Sequence, residues 1–383
     1  MGYADEAALR LPFFEPRHRE LAERIGKWCE ANTALCRDPH PDGAEAKGLA
    51  LLRTLGADGW LAALDPDPGQ EADLRSICLV RQALAYADDL ADYAYSIQAL
   101  SADPIRRYGT EAQRRRYLPG LADGSLVGAF AVSERGAGSD LAAVELRAER
   151  TGDGYLLNGD KAWIAHGGIA DVVCVVARTG QGPGALGLTP FLVPTDTAGF
   201  AVREPISALA PRSIAHLGFD DCRVPEDAVL GRPGTGFVVA AELLERFRMT
   251  VGAAALGFAR RAADAALAHA RSRRIYQGRL FDLATVKATF AEIEVKLQAA
   301  TLLVARAAWE ADRGGRRWSK HSSIAKLYAT ESAQEIVDAA VQLFGAAGLV
   351  SDSVTERLYR QIRSLRIYEG TSEIQKVIVA GAL

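Results

Sequence analysis

The spacing of apolar residues changes twice along this chain, and those two changes constrain its fold more than any other feature. From about Leu21 to Tyr117 apolar residues recur every three or four positions, as in LLRTLGADGWLAAL and LRSICLVRQALAYADDL, the spacing of helices that bury one face. Near Gly128 the period falls to about two and β-branched residues take over, in GAFAVSE, AVELRAER, GYLLNGDKAWI, DVVCVVART, TPFLVP and AHLGFDDCRVP. Beyond Phe237 the helical period returns. Between Ala284 and Asp312, residues Val286, Phe290, Ile293, Leu297, Ala300, Val304 and Ala307 alternate spacings of four and three, the stripe of a bundle helix. The pattern predicts an α+β chain of three parts: an N-terminal α-helical domain over 1–127, a central, mostly antiparallel β domain over 128–236, and a C-terminal four-helix bundle over 237–383.

Turn signals subdivide these parts. DPDPG at Asp65 to Gly69 is a break, Asp103-Pro104 is expected to start a helix that ends at Pro119-Gly120, and GRPGTGF at Gly231 to Phe237 closes the β region. Asn158-Gly159 reads as a hairpin turn, because both central positions of such a turn need positive φ.

Composition narrows the function classes. With 383 residues, 49% hydrophobic and 24% charged, and a net charge of -3, the chain reads as an ordinary soluble globular protein without the basic field that attracts nucleic acid. The five cysteines (Cys29, Cys36, Cys78, Cys174, Cys222) lack the paired spacings of a disulfide framework or a zinc site, which fits a reducing cytoplasm. The acidic start MGYADEAALR does not read as a targeting segment, and no apolar run approaches a membrane span. No metal site is expected: the histidines at 18, 40, 166, 216, 269 and 321 are dispersed and there is no HExxH. A GxxxxGK[ST] loop is absent, and Gly136-Ala137-Gly138 lacks both the third glycine and the βαβ setting of a dinucleotide fold.

Three stretches place reactive or flat groups where regular structure ends. In LRIYEGTSEIQ, Leu365 to Gln375, the carboxylate of Glu369 lies between Tyr368 and Gly370 on an expected loop, with Ser372 as a helix N-cap and Gln375 three residues on. In FAVSERGAGSD, Phe130 to Asp140, an alternating strand runs into a glycine-rich loop whose backbone N–H groups can face a flat or anionic ligand. In KAWIAHGG, Lys161 to Gly168, Trp163 ends a strand before a diglycine, a placement that suits stacking on an aromatic cofactor and equally a half-buried core tryptophan.

Together these stretches resemble one family, the flavin-dependent acyl-CoA dehydrogenases. AVSERGAGSD resembles the family's TEPxAGSD, NGDKAWIAHGG its NGxKxWITNGG, and QLFGAAG followed by ERLYRQIRSLRIYEGTSEIQ its QxxGG and YEGTxxIQ endings. The resemblance is close from about Ser101 to Leu383 and looser before it. It implies an acyl-CoA dehydrogenase-like fold, FAD as cofactor, an acyl thioester as substrate, an electron-transfer flavoprotein as acceptor and a homotetramer. It further implies Glu369 as the catalytic base that takes the Cα proton while the Cβ hydride leaves for flavin N5. Phe130, Val132, Ser133, Trp163, Ile164 and Ala165 would line the flavin ring; Arg273, Gln342, Gly345 and Ala346 would contact the cofactor bound mainly by a neighbouring subunit; Thr371 and Glu373 would touch its ADP half. Ser139 would meet the pantetheine arm, Glu245 to Arg248 would lie along the acyl pocket, and Tyr368 and Gly370 would flank the substrate.

Several positions depart from the family pattern. Ala165 stands where Thr or Ser is usual, His166 where Asn is usual, and Ala284 where a cofactor-contacting Gln is common. IYQG at Ile275 to Gly278 is an altered Phe-Gly turn, DPDPGQ replaces the usual loop near the acyl pocket, and ALAPRSIAH at Ala208 to His216 is short. These departures point to a secondary-metabolism variant whose thioester rides on a carrier protein. Some relatives carry the base on the bundle helix, where this chain has Phe247, leaving Glu369 as the family-placed base. Its retention weighs against the alternative of a flavin monooxygenase or oxidase on the same fold; a flavin-free, non-catalytic scaffold is the other alternative.

Overall fold

The chain was analysed as a computed structural model that describes residues 2–37, 43–64, 72–180, 182, 184–314 and 318–383. The expected break at Asp65 to Gly69, the DPDPGQ loop and His40 lie outside the described residues. The first helical stretch forms α1 (Pro16–Ala31), α2 (Thr33–Arg37), α3 (Gly43–Ala57), α4 (Leu74–Ala87), α5 (Asp89–Tyr108) and α6 (Glu111–Asp123). Strands follow: β1 (Gly128–Ala131), β2 (Arg147–Arg150), β3 (Gly154–Ala165), β4 (Val172–Arg178), β5 (Leu188–Pro194), β6 (Phe200–Pro205) and β7 (Ile214–Pro225). Then come α7 (Gly236–Ser272), the small hairpin β8 (Arg274–Ile275) and β9 (Gly278–Arg279), α8 (Ala284–Asp312), α9 (Trp318–Phe344), α10 (Val354–Ile362) and α11 (Ser372–Gly381).

Two turn expectations are corrected. Pro104 lies inside α5 and Pro119 inside α6. The break between these helices falls where Thr110 accepts the Gln113 backbone N–H at 3.2 Å and the Gln113 side chain accepts the Thr110 N–H at 2.9 Å. Each proline removes one helical hydrogen bond, but this reciprocal cap and the left-handed Gly124 (φ 76°) mark the real ends of α6. Asn158-Gly159 does not turn the chain either. It sits in mid-β3 at a register shift against β7, with Gly159 at φ 134°, and the Asn158 side chain donates to Asp221 Oδ1 (3.1 Å) and accepts the Asp221 N–H (2.8 Å). A bulge uses the same permissive dihedrals as a tight turn, so the dipeptide alone does not separate them. The β2–β3 hairpin turns instead at Thr151, whose N–H meets the Gly154 carbonyl at 2.9 Å.

The chain packs as two compact units, Met1–Asp38, Asp73–Asp92 and Glu245–Leu383 in one, Pro39–Ala72 and Tyr93–Leu244 in the other. In the first, α8 packs on α9 and α4, while α9 also takes α10 and α11. The stripe expected for α8 is its buried face: Val286, Phe290, Ile293, Leu297, Ala300, Val304 and Ala307 are all buried. Helix α7 joins them closely, since a Cβ on Gly252 would meet Val304 at 3.1 Å and Ala329 at 3.4 Å.

The second unit holds the sheet, in the order β1-β4-β2-β3-β7-β6 with β5 on β4. Pairing is antiparallel except that β1 runs parallel to β4 and β2 meets β4 parallel at Arg147 and Arg178. Tyr155, Phe191, Leu217 and Phe219 anchor its core, with the Tyr155 and Phe191 rings edge to face at 5.0 Å. One buried ion pair ties the ends of β1 and β3. Lys161, 0% exposed, donates to Glu134 Oε1 at 2.7 Å and to the Val132 carbonyl at 3.0 Å. Glu134 also accepts the N–H groups of Glu145 (2.7 Å) and Leu146 (3.0 Å). Burial pulls the Lys161 ammonium down to about 8, a shift that Glu134 opposes.

Leu297 is 1% exposed, so Leu297→Ala should cost about 2–5 kcal/mol and shift the urea midpoint down accordingly. Lys161→Met strips a buried carboxylate of its counter-charge and should cost about 3–5 kcal/mol in the same measurement.

Candidate active site

Glu369 lies on the loop between α10 and α11, in the first unit, with backbone φ 54°. A left-handed non-glycine residue costs on the order of 1–3 kcal/mol and persists only when its surroundings hold it. Those surroundings are explicit. Lys326 on α9, 0% exposed, donates to the Gly370 carbonyl at 2.8 Å. The Gln375 amide donates to the carbonyls of Glu369 (3.3 Å) and Gly370 (2.9 Å). Glu331, also on α9, pairs Arg366 at 2.7 Å and receives the Ser372 hydroxyl. Gly370 is itself left-handed (φ 89°), and a Cβ there would meet Gln375 Nε2 at 2.6 Å. Thr371, not Ser372, caps α11: its hydroxyl accepts the Ile374 N–H at 3.4 Å, which leaves Ser372 free to turn to Glu331. The reason is that Gln375 is drawn to the loop carbonyls and so makes no capping box.

The tip of Glu369 is buried, and its Oε2 has no hydrogen-bond partner among the described residues. Burial raises its pKa above the ordinary glutamate value; Arg81, Lys326 and Arg248 pull it down and Asp92 pushes it further up. The same desolvation lowers the Lys326 ammonium to about 8 against the attraction of Glu369. The carboxylate thus feels these cations while its Oε2 makes no hydrogen bond among the described residues, so that oxygen can gain a proton without breaking one. Glu245 and Arg248, one turn apart on α7, lie in this unit too; Ser322 donates to the Glu245 carbonyl at 2.8 Å, and the buried Arg248 Nε has no partner among the described residues.

The strand-end residues come together in the second unit. Phe130 and Val132 are buried at the end of β1, and the Ala162 N–H meets the Ser133 carbonyl at 2.9 Å, aligning that segment with Trp163, Ile164 and Ala165. Trp163 (φ 57°) and His166 (φ 59°) are both left-handed, bracketing Ile164 and Ala165. The indole is 53% exposed and the Ile164 side chain is buried. His166 is buried, its Nδ1 meets the Gly128 carbonyl at 3.2 Å, and its buried Nε2 has no partner among the described residues. Burial holds this imidazole down at about 4, so it is neutral at physiological pH, with Nδ1 donating and Nε2 an unused acceptor. An exposed aromatic face carried on a strained strand end fits a flat ring system such as a flavin. Ser139 is exposed in the following loop.

A third group lies apart. His269 and Phe344 stack at 4.3 Å, bringing the ends of α7 and α9 together, and around them Arg273, Gln342, Gly345 and Ala346 are exposed. The altered Phe-Gly stretch forms the β8–β9 hairpin, with Tyr276 left-handed (φ 51°) and 91% exposed at its tip. Thr371 and Glu373 stay with the Glu369 loop at the start of α11.

Sequence reasoning missed Lys161, Lys326, Arg81 and Asp92, all buried. The available signal was a charged residue inside an otherwise apolar or small-residue pattern, clearest for Arg81 in LRSICLVRQALAYA. Among the described residues there is no cluster able to hold a metal, and no helix is long and apolar enough to cross a membrane. All five cysteines are buried and none forms a disulfide among the described residues.

Comparison with known proteins agrees with this geometry. Models of the N-terminal, middle and C-terminal domains of acyl-CoA dehydrogenase match residues 15–125, 129–222 and 234–383. A probable acyl-CoA dehydrogenase of Mycobacterium leprae (strain TN) is 35% identical over 390 residues, spanning 100% of this chain and 99% of the relative. The crystal structure of an acyl-CoA dehydrogenase from Geobacillus kaustophilus superposes with a TM-score of 0.90 at 27% identity, over 97% of this chain and 99% of that one. That of the prolyl acyl carrier protein oxidase AnaB gives 0.86 at 25% identity, over 96% and 99%. With every part of the chain accounted for in order, the chain belongs to the acyl-CoA dehydrogenase family, whose members are FAD-dependent oxidoreductases.

Proposed function

We propose that this chain dehydrogenates a saturated acyl thioester to the trans-2-enoyl thioester, with Glu369 as the base that takes the Cα proton. The observation that carries this reading is Glu369 itself: its Oε2 is buried and has no hydrogen-bond partner among the described residues, and its strained loop is held by Lys326 and Gln375. A positioned base contributes about 10² to 10⁴ in rate when its pKa is tuned toward the working pH. Burial tunes Glu369 upward, and Arg81, Lys326 and Arg248 keep its ionised form accessible.

FAD, when bound, supplies the acceptor for the Cβ hydride. Trp163, Ile164 and Ala165 with Phe130, Val132 and Ser133 would face its ring. The exposed set Arg273, Gln342, Gly345 and Ala346 would serve the cofactor of a neighbouring subunit in a homotetramer, with Thr371 and Glu373 at its ADP half. Ser139, Glu245, Arg248, Tyr368 and Gly370 would hold the thioester. An electron-transfer flavoprotein would then reoxidise the cofactor.

A thioester on a carrier protein instead of CoA is a second reading, favoured by Ala165 and His166 at positions where the family differs and by the similarity to AnaB, a prolyl acyl carrier protein oxidase. Anaerobic flavin bleaching by the same acyl groups on CoA and on a carrier protein separates the two, since bleaching confined to the CoA esters removes the carrier reading.

Glu369→Gln should retain FAD, read from its absorbance, while substrate-dependent bleaching falls by about 10² or more. The base works ionised, so in the wild type the bleaching rate should climb with pH through a pKa above the ordinary glutamate range. That acid limb should be missing from the residual rate of the variant.

A further inference from the structure

The charges around Glu369 exceed what proton removal requires. Arg81 is 1% exposed and Asp92 3%, and the two form a two-pronged pair, Nε to Oδ1 at 2.8 Å and Nη2 to Oδ2 at 3.0 Å. The remaining Arg81 nitrogen donates to Thr250 Oγ1 at 2.7 Å, and that hydroxyl donates to the Phe247 carbonyl at 2.8 Å. The Thr250 contact ties the pair to α7 two residues from Arg248, and of the charged groups acting on Glu369 Arg81 is the strongest, followed by Lys326, Asp92 and Arg248, all within one unit. Burying such a pair costs several kcal/mol per ion, and packed apolar side chains of the same volume are often at least as stable. A wall meant only for an alkyl tail is better made of those apolar side chains.

One donor in this neighbourhood is also unused. Arg248 is buried, and its Nε has no partner among the described residues. A guanidinium donates and never accepts, so what completes it is an oxygen on the ligand; an alkyl group there leaves the donor unsatisfied.

We infer that the Arg81–Asp92 pair, with Arg248, selects a short acyl group bearing an oxygen acceptor, such as a carboxylate or hydroxyl, over a plain alkyl chain. The inference rests on the thioester dehydrogenation proposed above and names the substrate class of that same site. A site built to hydrogen-bond its substrate discriminates sharply against the analogue lacking the group, because its buried polar atoms are then left unpaired.

The test uses the purified FAD-loaded protein and anaerobic bleaching by length-matched thioesters on both CoA and a carrier protein: butyryl against 4-hydroxybutyryl, and hexanoyl against 5-carboxypentanoyl. The oxygen-bearing member of at least one pair is expected to bleach the flavin with a second-order rate constant about ten-fold or more above its alkyl partner. Removing both charges together, Arg81→Met with Asp92→Leu, should bring that ratio close to one, whatever the change in the absolute rates that follows from altering the field on Glu369. Thr250→Val, which deletes only the hydroxyl that receives Arg81, should lower the ratio less and serves where the double variant does not fold. Equal or faster bleaching by both alkyl esters in the wild type overturns the inference and leaves the proposed reaction standing. A ratio unmoved by these variants overturns the assignment to the Arg81–Asp92 pair, and no bleaching by any thioester on either carrier overturns the proposed reaction and this inference with it.

Discussion

The contact between Lys326 and the Gly370 carbonyl is the one on which the candidate site depends. Glu369 stands in a left-handed conformation that its own side chain disfavours, and Gly370 follows in the same region. Two such residues in sequence do not stay in place unaided. A buried ammonium on α9 reaching the carbonyl of the second, Gly370, with Gln375 folded back from α11 onto the same carbonyl, converts a costly local conformation into the stable one. The lysine's own desolvation is offset by Glu369, so loop geometry and the electrostatics of the carboxylate are one arrangement seen from two sides.

The second unit solves the same problem with the same kind of part. There a buried lysine, Lys161, reaches the Val132 carbonyl and Glu134, and the strained pair Trp163 and His166 follows within a few residues. In both places a buried cation on regular structure clamps the backbone of a loop or strand end, and the nearby residues in rare dihedrals present the exposed or unpaired group. Strain gathered at such points, and held in place by buried neighbours, is the usual mark of a functional surface.

Much of this was legible in the sequence because it depends on short-range pattern. The α8 stripe from Val286 to Ala307 is periodicity alone, and it is the buried face. The strand segments beginning near Gly128 were visible for the same reason. The failures share a cause as well. Asn158-Gly159 permits a turn or a bulge, and the choice fell to its pairing with Asp221, more than sixty residues away in the sequence. Pro104 and Pro119 break helices by local rule, yet each helix absorbed its proline. Ser372 and Thr371 are both competent caps, and Gln375 decided between them by turning to the loop carbonyls, which left the Ser372 hydroxyl to Glu331.

The sequence by itself determined the order of helices and strands, the family, and the position of Glu369 in the chain, since these follow from periodicity and from motifs read over a few residues. Tertiary structure alone decided the state of that carboxylate. Arg81, Asp92, Arg248 and Lys326 are scattered over nearly two hundred and fifty positions, and only the packing of α4, the start of α5, α7 and α9 brings their charges to bear on one buried oxygen. Coulomb and desolvation energies depend on distance and burial in space, quantities that no local pattern of residues encodes.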